Sequence, residues 1–473
     1  MLAASPAPPG PTDPMALLRS RSYLVLLVLA AIIGVPISAA AFGFLELVDE
    51  LQKWLFTDLP EGLGFTAEPM WWPLPMLALC GVLVALALRY LPGKGGHSPA
   101  DGFQAGAGPA KPIELPGIFF AALATLGFGA VLGPEAPLIA LGGGLAIVAV
   151  RLAKRDAPQQ ALLVLAAAGS FAAVSTLLGS PLLGAFLLME ASGLGGPTLG
   201  LVLLPGLLAA GVGSLIFIGL DDWTGLGTFS LAIPGLPPVG EPTLAQFAWA
   251  IGIGIAAAVV GSAIRWLGLV LRPHVERRLL LATPVMGLVV AGLAIAYAEG
   301  TGHPNSDVLF SGQAALGPLI AGSAGYSVGA LILLLACKGL AYGVSLGSFR
   351  GGPIFPAMFL GAAGGIALSH FGGLPLVTGT AMGIGAMSVA MLRLPLTSVL
   401  LATLLLLSDG LAVMPLVIVA VTVAHVAAAR LQPRFATGGS VPVPSPSGPA
   451  EGAAASPVGS PAASQTGTPT ATS

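Results

Sequence analysis

The chain has 473 residues, of which 55% are hydrophobic and only 8% charged, and its mean hydropathy is +0.94. A soluble domain carries roughly a quarter charged residues, so a water-facing globule is excluded and lipid is the solvent this composition requires. The net charge of −2 and five scattered histidines argue against a nucleic-acid face and a metal centre, and Cys80 and Cys337 sit in apolar runs as small hydrophobes.

In chain order, residues 1–16 form a flexible N-terminal tail rich in Pro and Ala. After Arg19 and Arg21 comes a long apolar segment at 23–48, which reads as a retained membrane helix because it is too long for a signal peptide. Further apolar segments fall near 71–91, 115–131, 136–153, 160–176, 180–192, 197–220, 245–271, 279–298, 326–346, 353–370, 374–391, 394–408 and 411–430. A span needs about 20 helical residues, so the pieces at 180–192 and 394–408 are expected to stop partway. The polar, Pro/Gly-rich stretch 221–244 reads as a linker between a first membrane half (17–220) and a second (245–435). Residues 436–473 are low in complexity and expected to be disordered. The arginines at 19, 21, 430 and 434 favour both termini on the cytoplasmic side of a multi-pass cell-membrane protein.

The halves echo one another. Gly133-Pro134-Glu135-Ala136-Pro137 precedes Leu141-Gly142, and Gly352-Pro353-Ile354-Phe355-Pro356 precedes Leu360-Gly361 at the same spacing. Each motif is followed by a short Pro-Leu segment, at Pro181 and at Pro395. Paired, Pro/Gly-interrupted segments in corresponding halves point to a transport site between repeats. The predicted fold is all-α, with two inverted repeats of tilted and broken membrane helices.

Gly-Pro before an apolar run is a helix start, with the proline expected at the first helical position. The first N–H groups of such a helix lack intrahelical partners. Two opposed starts inside a membrane therefore offer convergent amides and positive dipole ends, an anion site without a formal charge. Glu135 lies in the first turn of one start. It reads either as a helix-capping carboxylate or as a gate that competes with permeant anions for the same donors, and the pattern favours the gate.

These motifs together resemble the chloride channel (CLC) family, bacterial type without C-terminal regulatory domains. GPEAP (133–137) is similar to the family's GREGP, GGPIFP (351–356) to GGxFxP, and GSPLLGAFLLME (179–190) to the stretch after NAPLAG. RLPLTSVLLATLLLLSDG (393–410) matches its second-half counterpart, and GGHSP (95–99) sits where the family has GSGIP. The resemblance covers most of 23–435. It implies a homodimer moving chloride or other small anions, with protons as a second cargo in the exchanger members. It implies that Glu135 gates, that the amides of Ile354 and Phe355 hold the central anion, and that Gly133, Pro134, Pro137, Gly351, Gly352 and Pro356 shape the helix starts. The family's pore serine aligns with Gly96, with Ser98 as a nearby substitute, and its pore tyrosine falls near Phe435. Glu190 lies one residue before the position of the family's internal proton-relaying glutamate, so a proton pathway and a plain helix-ending carboxylate are both open, as are channel and exchanger. No cofactor is expected and no enzyme activity.

Lys338, inside an apolar run, reads as lining a vestibule or reaching for the interface. Arg350 and Arg393, before the second-half helices, read as interfacial anchors ahead of a role in attracting anions, and His97 as a loop residue ahead of one at the pore entrance. Two other readings of function fit the sequence less well. An intramembrane serine hydrolase could use either G-x-S-x-G match, at Ser327 or Ser345, with His303 or His370 as partner. A secondary carrier for an organic solute would share the broken helices but lacks polar side chains to hold its substrate.

Overall fold

The computed structural model describes residues 18–103, 108–193, 196–224, 239–406 and 410–431. The expected tails at 1–16 and 436–473, most of the 221–244 linker and Phe435 lie outside these residues.

Among the described residues the secondary structure is helical, and the segments foreseen from hydropathy are all present. Helix α1 (Arg21–Lys53) starts at Ser20, whose side chain accepts from the Tyr23 N–H at 3.1 Å. It does not end near 48 but runs through a π-helical turn, Trp54–Asp58, into a last helical turn, Leu59–Gly62. A π turn leaves carbonyls poorly paired, and the indole of Trp72 donates to the Leu55 carbonyl at 2.9 Å there. The first half continues with α2 (Pro73–Tyr90), α3 (Leu115–Gly127), α4 (Glu135–Ala153), α5 (Gln159–Leu178), α6 (Pro181–Ser192) and α7 (Gly196–Thr224).

The second half holds α8 (Leu244–Arg277), α9 (Leu279–Thr301), α10 (Gln313–Ala321), α11 (Val328–Ser348), α12 (Ile354–Ser369), α13 (Leu376–Leu392), α14 (Pro395–Leu404) and α15 (Gly410–Leu431). The short α10 was not foreseen; its nine residues carry a proline and two flanking glycines, which masks a helical period. Among the described residues, eight helices are long and apolar enough to cross a membrane, whereas α6, α12, α13 and α14 are shorter apolar pieces.

Glycine lets the short helices pack backbone to backbone. A Cβ on Gly142 of α4 would stand 2.6 Å from the Gly169 carbonyl of α5, and one on Gly379 of α13 would stand 2.9 Å from the Gly365 carbonyl of α12. The same crossing thus recurs in both halves, next to both Gly-Pro motifs. These helices and the rest of the described chain form one compact unit within residues 1–432.

Candidate anion pathway

Both Gly-Pro motifs start helices, with the proline one residue earlier than expected. Pro134 and Pro353 sit at the N-cap, and α4 and α12 begin at Glu135 and Ile354. The two starts face one another. Gly133 N–H donates to the Gly352 carbonyl at 2.8 Å, and Gly352 N–H returns a bond to the Gly133 carbonyl at 2.5 Å. This antiparallel bridge joins residues far apart in sequence and fixes the separation of the two helix tips.

Glu135 is fully buried between them, with 0% exposure. Its Oε1 accepts from the Phe355 N–H at 2.9 Å, and its Oε2 has no hydrogen-bond partner. The carboxylate folds back over both motif glycines. A Cβ on Gly133 would collide first with the carboxyl atoms of Glu135, and one on Gly352 would meet both Oε2 and the Ala136 nitrogen. Glycine is required at 133 and 352 for that close approach. Gly351 packs against Leu132 and the Gly133 carbonyl, while Pro137 and Pro356 lie in the first turns of α4 and α12.

A cavity of about 590 Å3 reaches this point. Gly96, Ser98, Ala136, Pro137, Gly351 and Pro353 line it, with Lys111 and the exposed His97 among its other lining residues. Gly96 takes φ 82°, which brings its backbone close to the lumen without a side chain. Ser98 is 6% exposed, and among the described residues its hydroxyl has no partner. A buried unpaired hydroxyl costs free energy unless something binds it, so this one is available to a ligand in the cavity. The structure thus places Gly96 and Ser98 on the cavity that also touches Ala136 and Pro353, with Glu135 bonded to the Phe355 amide at the helix starts behind it.

It does not bring Glu190 to them. Glu190 accepts from the Leu396 N–H at 2.9 Å, the Thr397 N–H at 2.8 Å and the Thr397 hydroxyl at 2.7 Å. It caps α14 of the other half, a partner that its place at the end of α6 did not reveal. Lys338 neither lines the cavity nor reaches the interface, being fully buried. Arg350, 8% exposed, is not an interfacial anchor, and its guanidinium donates to the Phe349 carbonyl at 3.0 Å. Arg393 is half-buried and takes φ 63° at the turn into α14.

Sequence reading missed the polar residues that hold the two starts in place. On α11, the Tyr342 hydroxyl donates to the Pro353 carbonyl at 2.8 Å, and the Ser345 hydroxyl accepts from the Val131 N–H at 3.2 Å. Thr125 of α3 accepts from the Arg350 N–H at 3.3 Å. The signal was present as lone polar residues one turn apart on an apolar helix. Both G-x-S-x-G serines are accounted for in this way. Ser327 sits at the N-cap of α11, accepting from the Ala330 N–H at 3.1 Å, Ser345 lies inside α11 and is occupied as above, and neither stands at a strand-to-helix turn.

The chain matches the family model described as "Voltage gated chloride channel" over residues 80–429. It is 31% identical over 366 residues to YfeO of Salmonella schwarzengrund, named as a candidate ion-transport protein, with 76% of this chain and 84% of that one covered. YfeO of Escherichia coli O1:K1 / APEC is 31% identical over 356 residues, covering 74% and 80%. Among solved structures, a slow cyanobacterial Cl−/H+ antiporter superposes with a TM-score of 0.70 at 21% identity, covering 86% of this chain and 95% of that one. A CLC-type fluoride/proton antiporter gives a TM-score of 0.63 at 19% identity, covering 85% and 95%. The chain belongs to the voltage-gated chloride channel family and is a multi-pass, all-helical membrane protein.

Proposed function

We propose that this member of the voltage-gated chloride channel family carries chloride or a similarly small anion across the membrane, with Glu135 as the gate. The observation that carries the reading is the 2.9 Å bond from the Phe355 N–H to Glu135 Oε1, at the meeting point of two helix N-termini. Backbone donors and positive dipole ends there suit any compact negative group. The side-chain carboxylate now occupies the place of one.

The mechanism follows from that competition. An anion climbing the cavity passes Ser98 and reaches the tips of α4 and α12, where the amides of Ile354 and Phe355 take it if the carboxylate leaves. Protonation discharges Glu135 and weakens its hold on Phe355 N–H, because hydrogen bonds to charged acceptors are roughly twice as strong as neutral ones. Dipoles and amides bind the anion without a formal charge, so release can be fast. Family membership supports two inverted halves in a homodimer, each subunit with its own pathway, and the basic termini support a cytoplasmic location for both ends. The engagement of Glu190 in capping α14 gives no geometric support to a proton route through it.

The test uses purified protein in liposomes under a chloride gradient, with external pH recorded. Wild-type flux is expected to rise as pH falls. Glu135→Gln should keep anion flux and lose that pH response. A Glu135→Gln protein whose flux still follows pH would sink the gate. Proton movement in fixed ratio to chloride identifies an exchanger; chloride moving at its Nernst potential without protons identifies a channel.

A further inference from the structure

Lys338 is a buried cation that the anion pathway, as described above, does not use. It lies within the spanning helix α11, where a charged side chain is costly unless it is fully paired. Its ammonium is paired unusually completely. The three N–H groups on Nζ are shared among the carbonyls of Asp307 at 3.0 Å, Val308 at 3.1 Å, Leu309 at 3.0 Å and Phe310 at 3.4 Å. It also stands 4.4 Å from the ring centroid of Phe359, a cation–π contact. No carboxylate is bonded to it, since the Asp307 carboxylate accepts instead from the Tyr297 and Tyr326 hydroxyls, each at 3.0 Å.

Both structures that Lys338 holds lead to the helix starts. The 307–310 turn ends at Phe310, which takes φ 59° and whose N–H donates to the Gly129 carbonyl at 3.1 Å. Gly129 opens the short run into Val131, held by Ser345 of α11, and then into Gly133 and Glu135. Phe359 lies one helical turn beyond Phe355, the residue whose amide meets Glu135. On α11 itself, Lys338, Tyr342 and Ser345 follow at helical spacing and bind 307–310, Pro353 and Val131 respectively. One helix edge thus sets the positions of both approaches to the gate.

We propose that Lys338 is a positioning residue of the anion pathway, its ammonium pinning the 307–310 turn and α12 so that the Phe355 amide and the Glu135 carboxylate meet. The inference rests on the reading of Glu135 as the gate. Removing the ammonium leaves four carbonyls pointing at one another with no donor, so the turn must open and the approach to Glu135 must shift with it.

The test is a double-mutant cycle read by chloride flux into liposomes, normalised to monodisperse protein. Lys338→Met keeps the side-chain length and removes the charge. It should raise flux at neutral pH about tenfold in the wild-type background, a typical coupling between linked sites, because the Phe355 N–H then holds the carboxylate less firmly in the anion's place, and change it by less than about twofold in Glu135→Gln, where the group it positions is gone. A loss, or an equal change in both backgrounds, would mean that the charge acts on the anion directly, and no change in either would mean that it only aids folding; each overturns the proposal. Should Lys338→Met not yield monodisperse protein, Phe359→Leu removes the ring face and keeps the apolar bulk. The same pattern at smaller size is then expected, and equal changes in the two backgrounds, or no change in either, overturn the proposal as before. If Glu135→Gln alone keeps the wild-type pH response, the gate reading fails and takes this one with it. If Glu135→Gln abolishes that response while the Lys338 effects simply multiply, only the role of Lys338 fails.

Discussion

At residues 133–137 the chain enters α4 with a carboxylate in the first turn. At 352–356 it enters α12 with the same Gly-Pro cap, the same proline two residues into the helix, and Ile354 in place of the acid. The backbones pair reciprocally through Gly133 and Gly352, so the repeat supplies two equivalent sets of amides aimed at one point. The acid is present once. On the proposed reading, duplicated geometry builds the anion site, and a single departure from the duplication gives the site its own competitor. Two carboxylates in that space would repel one another in a low dielectric; none would leave the amides open at all times.

The largest effect should come from filling the contact between the starts. A Cβ on Gly352 meets backbone, 3.0 Å from the Ala136 nitrogen, as well as the carboxylate, whereas the nearest atoms to one on Gly133 all belong to the Glu135 carboxyl. Gly352→Ala should therefore lower flux at least about tenfold and destabilise the protein by about 1–3 kcal/mol, as overpacking does. Gly133→Ala should do less, and Glu135→Ala added to it should restore flux. Rescue of both glycine variants by Glu135→Ala, or of neither, would break the asymmetry drawn between the two starts.

The next effect concerns the other junction between halves, where Glu190 caps α14. Loss of an N-cap acceptor costs about 1 kcal/mol. Glu190→Ala should lower the unfolding temperature in detergent while leaving flux per folded protein unchanged. A lost proton flux with an unchanged melting temperature would reinstate Glu190 as a relay. Ser98→Ala removes a donor that only the permeant anion would use. One hydrogen bond is worth about 1 kcal/mol, so the half-saturating chloride concentration should rise severalfold with maximal flux preserved. Unchanged half-saturation would leave the backbone amides as the sole donors.

The smallest expected effect lies outside the spanning helices, at Glu68. Burial pushes its carboxyl up to about 7, and a side-chain hydrogen bond from Asn305 opposes that rise. The folded state then holds a proton that the unfolded chain, with an ordinary carboxyl, has already released. Stability contributed by protonated Glu68 is full at acid pH and declines as pH rises towards 7. Glu68→Gln should flatten the fall in melting temperature between about pH 4.5 and 7. A slope equal to that of the wild type would place the titration elsewhere.

Much of this was legible in the sequence because membrane helices announce themselves through length and apolarity, and because Gly-Pro followed by an apolar run can do little but start a helix. The pairing of 133–137 with 351–356 was legible from repetition alone. What escaped was whatever depended on a partner distant in sequence. Glu190 read as a proton relay or a helix end because its three donors lie in α14, and Lys338 read as a vestibule or interface residue because its four carbonyls lie in a turn that carries no motif. The π turn at Trp54–Asp58 escaped because its stabilising indole, Trp72, comes after a polar loop. The pore tyrosine position at Phe435 lies outside the described residues.

The glycine crossings carry a consequence for how access alternates. Where helices touch through bare backbone, as α4 does with α5 and α12 with α13, neither can slide without losing its close fit, because packed interiors have few intermediate arrangements. The reciprocal bonds at Gly133 and Gly352 clamp the two pairs together. A rocking motion of one half against the other would have to break those contacts, so the proposed gate needs the smaller movement, a rotation of one glutamate side chain about its own single bonds.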